Sequence, residues 1–186
     1  MEALIVYGTR AGATKEIAQE MEKALAEKGF EVTVIGAKEA SGIDVDAFDL
    51  IIIGSGVQMG KWEGRTTNFL KKNQQALAGK KVALFSSGMM AGDPAMKEEA
   101  ERSIAKVAAA FPAIKPVALA YFGGHLDFNG GKLLVRLIRF TMKKHWEKMG
   151  IDTSKPYDTR DFEAIHKWAG DVAAKAREDA IYSKQT

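Results

Sequence analysis

The chain has 186 residues, a length that fits one domain. With 46% apolar and 27% charged residues, 18 Gly and only 4 Pro, the composition excludes a disordered, collagen-like or low-complexity chain. There is no cysteine, which excludes disulfides, thiolate metal sites and a cysteine nucleophile and leaves a cytoplasmic location as the default. The net charge of +3 is local: residues 131–149 carry six basic side chains and one acidic, so the other 167 residues sum to −2. That pattern argues for one positive surface element and against general nucleic-acid binding. The longest apolar run, 117–122, is far short of the roughly 20 residues of a spanning helix, and the start of the chain lacks the basic flank of a secretory signal.

Residues 3–7 form the first of five short apolar or β-branched runs, followed by 31–35, 50–53, 81–85 and 117–122. Runs of this kind ending in small residues are expected of buried parallel strands. Between the first two, Ile17, Met21 and Leu25 repeat every four residues and Gly29 supplies a stop. Phe69, Leu70 and Leu77 predict a second helix ending before Gly79. Met96, Ala100, Ile104, Val107 and Phe111 predict a third that stops at Pro112, with Asp93 as its N-cap and Pro94 at its first position. The last helix, about 159–177, carries Phe162, Ile165, Trp168, Ala169 and Val172 on one face. Strand and helix alternate, so the economical fold is an α/β doubly wound sheet, one domain over 1–186. One stretch breaks the alternation: about 35 residues, 123–158, separate the fifth strand from the last helix and contain their own helical pattern at about 132–149.

In doubly wound sheets ligands sit beyond the carboxyl ends of the strands. After the first strand comes Gly8-Thr9-Arg10-Ala11-Gly12-Ala13-Thr14-Lys15, opening a helix. Hydroxyl and cationic donors at a helix amino terminus make an anion site, whereas the plainer reading has Thr14 only capping the helix and Gly12 only permitting a turn. Other nucleotide folds fail on particular residues. No G-x-G-x-x-G follows the first strand, and Ile35-Gly36-Ala37 ends the second without a ribose-binding carboxylate. There is no G-x-x-x-x-G-K-[ST] and no G-x-S-x-G elbow, and His125, His145 and His166 are too scattered for a zinc helix, so no metal is expected.

Thr9-x-x-Gly12-x-Thr14 directly after the first strand resembles the phosphate loop of flavodoxins. Gly54-Ser55-Gly56-Val57-Gln58-Met59-Gly60 and Ser86-Ser87-Gly88-Met89 stand where flavodoxins carry the two loops that hold the flavin ring. Within that superfamily Thr9-Arg10-Ala11-Gly12-Ala13-Thr14 is similar to the corresponding stretch of the menaquinone-dependent protoporphyrinogen IX dehydrogenases. So are Gly124-His125-Leu126-Asp127, a basic helix, and 158–165, which resemble that group's insert and final helix. The resemblance implies a five-stranded parallel sheet of order 2-1-3-4-5, an FMN bound by Thr9 to Thr14, Ser55 to Gly60 and Ser86 to Met89, and oxidation of a porphyrinogen in heme biosynthesis with a quinone as acceptor. No residue is assigned a catalytic role. Electron-carrying flavodoxins are acidic and sandwich the flavin between aromatic rings. Here the sequence pI is about 9.0, residues 86–93 contain no aromatic, and Trp62, which either stacks or covers the second helix, is the nearest one. A flavin without that sandwich and acidic rim is easier to reduce, because negative neighbours oppose the reduced anion. That favours a substrate-oxidising enzyme over an electron carrier acting on redox-partner proteins, and both over a flavin-free interaction domain.

Lys132, Arg136, Arg139 and Lys143 fall in one stripe opposite a broad apolar face. Three accounts stay open for it: a solvated docked helix, peripheral contact with the anionic inner face of a membrane, and, with His125, contact with a carboxylated substrate.

Overall fold

A computed structural model of the chain describes residues 1–58, 60–127, 147 and 150–182. The sheet is built from β1 (Glu2–Gly8), β2 (Glu31–Gly36), β3 (Leu50–Gln58), β5 (Lys81–Ser87) and β6 (Ala118–Phe122), all parallel, in the order β2-β1-β3-β5-β6. The two-residue β4 (Lys61–Trp62) folds back antiparallel on β3. This is the strand order expected from the sequence. Successive residues of β1, Ala3 to Val6, are all fully buried, because helices cover both faces of the sheet. On one face α1 (Ala13–Glu27) and α4 (Phe162–Tyr182) close over Ile5, Ile52 and Phe85 with Ile17, Met21, Leu25, Ile165, Ala169 and Val172. On the other, α2 (Gly64–Ala78) and α3 (Lys97–Ala109) cover Val6, Ile53 and Leu84 with Phe69, Leu70, Leu77 and Ile104. A further ladder, β7 (His125–Leu126) with β8 (Tyr157–Asp158), lies close to the two ends of the expected insert.

The differences from the sequence expectations have local causes. Gly54-Ser55-Gly56 reads as the start of a loop, yet β3 runs on to Gln58: the ring of Phe85 occupies the space a side chain at Gly54 would need, and both neighbouring strands offer partners as far as Gly8 and Ser87. The outer strands are not buried on both faces as the five-strand reading supposed. Every residue of β2 except Glu31 and Thr33 is half-buried, and Leu119 of β6 is 40% exposed, since each strand is a sheet edge. Asp93 does accept the N–H of Ala95, but it caps a 3-10 turn at Pro94–Met96. α3 starts only at Lys97, and Met96 is exposed instead of joining the apolar face. α4 starts at Phe162 rather than near 159, and Phe162 is exposed, its ring lying under the guanidinium of Arg160 at 5.0 Å. The basic stripe Lys132, Arg136, Arg139 and Lys143 lies outside the described residues. Among those that are described, no helix is long and apolar enough to cross a membrane, and no group of three His, Asp or Glu side chains is placed to hold a metal ion.

Candidate functional site

The register brings Gly8, Ser55, Ser87 and Phe122 to one edge of the sheet, where α1 begins. Gly12 occupies the N-cap position at φ 94°, a conformation glycine adopts without steric cost, and no side chain caps the helix. Thr9 Oγ1 accepts the N–H of Gly12 at 2.9 Å, and the first bond inside the helix runs from Lys15 N to Gly12 O. The N–H groups of Ala13 and Thr14 precede that bond, so they have no acceptor within the helix and face outward with the positive end of its dipole.

Thr14 does not cap α1. It is the second residue of the helix, 2% exposed, and its hydroxyl lies 3.0 Å from that of Ser87 at the end of β5. Two hydroxyl protons meet at this pair and one fills the bond between the oxygens, so the other remains to donate elsewhere. A Cβ at Gly56 would come within 3.0 Å of Thr14 Oγ1, so the absence of a side chain there keeps the space above the pair open. Arg10 reaches across from the first loop and donates to Gln58 Oε1, tying that loop to the end of β3.

These groups line a cavity of about 150 Å3. The first loop contributes Thr9, Arg10, Ala11, Ala13 and Thr14, β3 contributes Gly56, Val57 and Gln58, and the end of β5 contributes Ser87, Gly88 and Met89. Gly124, His125 and Leu126 complete the lining, of which Gly124 and Leu126 have no role in the sequence reading. Ser55 and Ser86 turn away from the cavity. The Ser55 hydroxyl donates to Gly56 O and accepts the N–H of Glu63, and the Ser86 hydroxyl accepts the indole N–H of Trp62 at 2.8 Å. Gly60 borders a separate groove, and Met59 lies outside the described residues. Tyr121 of β6 sets its hydroxyl against Gly88, and burial pushes its phenol up to about 12.

The segment entering α4 closes the back of the site. Thr159 bonds the N–H of Gly124 and its carbonyl, fixing the position of β7 beside the cavity. Arg160, its side chain only 5% exposed, forms a two-pronged pair with Asp158 and donates to Glu16 of α1 at 2.8 Å. Its guanidinium holds the Asp158 carboxyl below the usual carboxylate range, and the guanidinium is stabilised in turn by Asp158 and Glu16. Residues 158–165 drew notice in the sequence as a pattern, but nothing in their spacing reveals that Arg160 meets α1, a contact across 144 positions of chain.

A helix amino terminus with free N–H groups at the carboxyl edge of a sheet of this order defines a class. The chain belongs to the flavodoxin domain family, whose model matches residues 4–151, and has the flavodoxin-like fold expected from its sequence. Its relatives include a protein named protoporphyrinogen IX dehydrogenase [quinone] from Escherichia coli (strain K12), 25% identical over 174 residues that span 93% of this chain and 95% of that protein. Among solved structures, a short-chain flavodoxin associated with a PDU bacterial microcompartment superposes with a TM-score of 0.59 at 18% identity, covering 95% of this chain and 99% of that one. A flavodoxin from the domain Archaea gives 0.57 at 18% identity with the same coverage. At such identities the two structures speak to the fold alone.

Proposed function

We propose that the chain, acting as a single domain, binds one FMN and works as an FMN-dependent oxidoreductase of the quinone-linked protoporphyrinogen type. The observation that carries this reading is the Thr14 and Ser87 hydroxyl pair buried under the α1 amino terminus, with the side of Gly56 left bare above it. A phosphate there takes the free N–H groups of Ala13 and Thr14 and the spare hydroxyl proton, and the donor set needs no lysine to balance it. The residues fit FMN in this respect. A cavity of about 150 Å3 is small beside the few hundred Å3 of most cofactor sites, so it would take the phosphate end, and Val57, Gln58, Gly88 and Met89 would hold the ring.

FMN, when bound, supplies two-electron chemistry: a porphyrinogen gives up a hydride and a proton, and a quinone later takes two electrons and two protons. The chain's own contribution is binding and orientation. Arg10 and Gln58 hold two of the loops together, Trp62 and Ser86 brace the turn after β3, and Thr159 fixes β7 so that Leu126 shields one wall from water. His125 lines the same cavity from β7 and helps to close it. Support for an enzyme over a carrier comes from the relative of nearly equal length and from the basic composition.

The test is anaerobic turnover of protoporphyrinogen by FMN-loaded protein with a soluble menaquinone analogue, followed by porphyrin fluorescence. FMN-dependent appearance of porphyrin supports the proposal. Bound FMN without turnover on any quinone makes the protein a carrier, with redox proteins as its partners.

A further inference from the structure

A groove of about 880 Å3 runs between α2 and α3, several times the volume of the cavity at the α1 terminus. It begins where the cavity's own segments leave off. Val57 and Gln58 line the cavity while Gly60, Lys61 and Trp62 line the groove, and Met89 lines the cavity while its neighbour Met90 lines the groove. A flavin ring held by the segments shared by the two spaces would therefore face the head of the groove. The size falls within the 300 to 1,000 Å3 range typical of small-molecule sites. Trp62, Val107 and Phe111 give it an apolar surface, each packed at its back into the α2/α3 core.

The charges around this surface are unbalanced. Lys61, Lys71 and Lys106 line it, and none has an ion-pair partner among the described residues, whereas Lys23, Lys80, Lys155 and Lys167 are all paired. The single acid in the lining, Glu99, has Arg102 at 3.8 Å, an arginine it shares with Glu98 at 3.1 Å, so three lysines face one acid. Lys106 sits in the last turn of α3, where the helix dipole favours a cation, but Lys61 and Lys71 have no such local reason. Three unpaired ammonium groups around an apolar surface complement a ligand with an apolar body and carboxylates at its edge.

We propose that this groove is the substrate subsite and takes a broad, largely apolar ring molecule bearing two or more carboxylates, whether puckered before oxidation or flat after it. The body lies on Trp62, Val107 and Phe111, and the carboxylates meet Lys61, Lys71 and Lys106. The assignment rests on reading the protein as a flavin oxidoreductase, and it makes the lysines specificity-determining residues without a part in cofactor binding.

The experiment titrates FMN-loaded protein with protoporphyrin IX, a flat dicarboxylate, and measures FMN affinity in the same preparations. Three proteins are compared: the unaltered chain, Lys71→Gln with Lys106→Gln, and Ala110→Trp, which fills the groove from an exposed position. The double glutamine variant should bind the porphyrin about tenfold more weakly. Ala110→Trp should weaken it at least as much, both variants should keep FMN affinity within about twofold, and added salt should weaken porphyrin binding by the unaltered chain more than by the glutamine variant. In turnover the glutamine variant should raise KM and leave kcat unchanged. Equal porphyrin affinity in all three proteins, or no porphyrin binding by the FMN-loaded unaltered chain, overturns the proposal and leaves the flavin reading intact. Failure of the unaltered chain to bind FMN defeats the flavin reading, and the subsite with it.

Discussion

At the scale of single residues, two side chains separate binding from scaffolding. Thr14 and Ser87 share one proton between two oxygens, so removing either hydroxyl leaves its partner to satisfy itself within the cavity. Thr14→Ala should lower FMN affinity by roughly 10- to 100-fold, the range for a hydrogen bond to a charged group, while riboflavin, which has no phosphate, is affected much less. Paired fluorescence titrations check this, and equal losses for the two ligands would mean that the hydroxyl shapes the fold and does not meet the phosphate. Arg160 is the opposite case, since it takes no part in the lining of the cavity and holds Asp158 and Glu16 together. Arg160→Ala strands the Asp158 carboxylate and releases the entry to α4 from α1, so chemical denaturation should show a loss of about 1–3 kcal/mol. The depressed Asp158 contributes stability that is present above its ordinary value and lost as pH falls through the folded one. The Arg160→Ala protein should therefore lose less stability than the unaltered chain between pH 5 and 3. Arg160 escaped the sequence reading because a single arginine in a polar segment carries no sign of a partner so distant in the chain.

Between elements, the join of α1 to α4 is both apolar and ionic. Ala18, Met21 and Leu25 meet Ala169, Val172 and Ala173 in one core, and at its rim His166 places one ring nitrogen 2.9 Å from Glu20 and the other 3.0 Å from Glu27. A ring bonded to a carboxylate at both nitrogens is doubly protonated. Glu20 first, and then Glu27, raise the His166 pKa above its ordinary value, while Lys23 foremost and then His166 keep Glu20 low. A raised histidine contributes stability that is complete below its unfolded value of ~6.5 and is lost as pH rises through the folded value. The melting temperature should fall over the pH interval above ~6.5, and His166→Gln should flatten that fall. An unchanged pH profile in the variant would show that the two ion pairs add nothing to the docking of α4. Both helices were legible from apolar residues gathered on one face at helical spacing, whereas the three two-residue strands were not. β4, β7 and β8 are too short to carry a period, and the β7 to β8 pairing joins the two ends of the insert. The loop from Thr9 to Thr14 was legible because its donors lie next to one another in sequence. The roles of Ser55 and Ser86 were not, because Ser86, Ser87 and Gly88 look alike in sequence while alternation along β5 turns Ser87 to α1 and Ser86 to Trp62.

For the whole molecule, the distribution of charge sets what a bound flavin can do. Residues 86–93 contain no aromatic residue, and the indole of Trp62 is tied to Ser86. The chain is also basic overall, with a sequence pI of about 9.0. Reduced flavin is an anion, so a site whose described lining holds no carboxylate should give a midpoint potential less negative than that of acidic flavodoxins, measurable by anaerobic dye titration. A very low midpoint would favour the carrier. All of this depends on one claim, that the α1 terminus with Thr14 and Ser87 receives the phosphate of FMN. The direct measurement is a titration of the apoprotein with FMN by quenching of flavin fluorescence, run beside Ser87→Ala and Thr14→Ala. The account predicts one FMN per chain with quenched emission and weaker binding in both variants. Unquenched emission at saturating protein, or affinity unchanged in both variants, would contradict it.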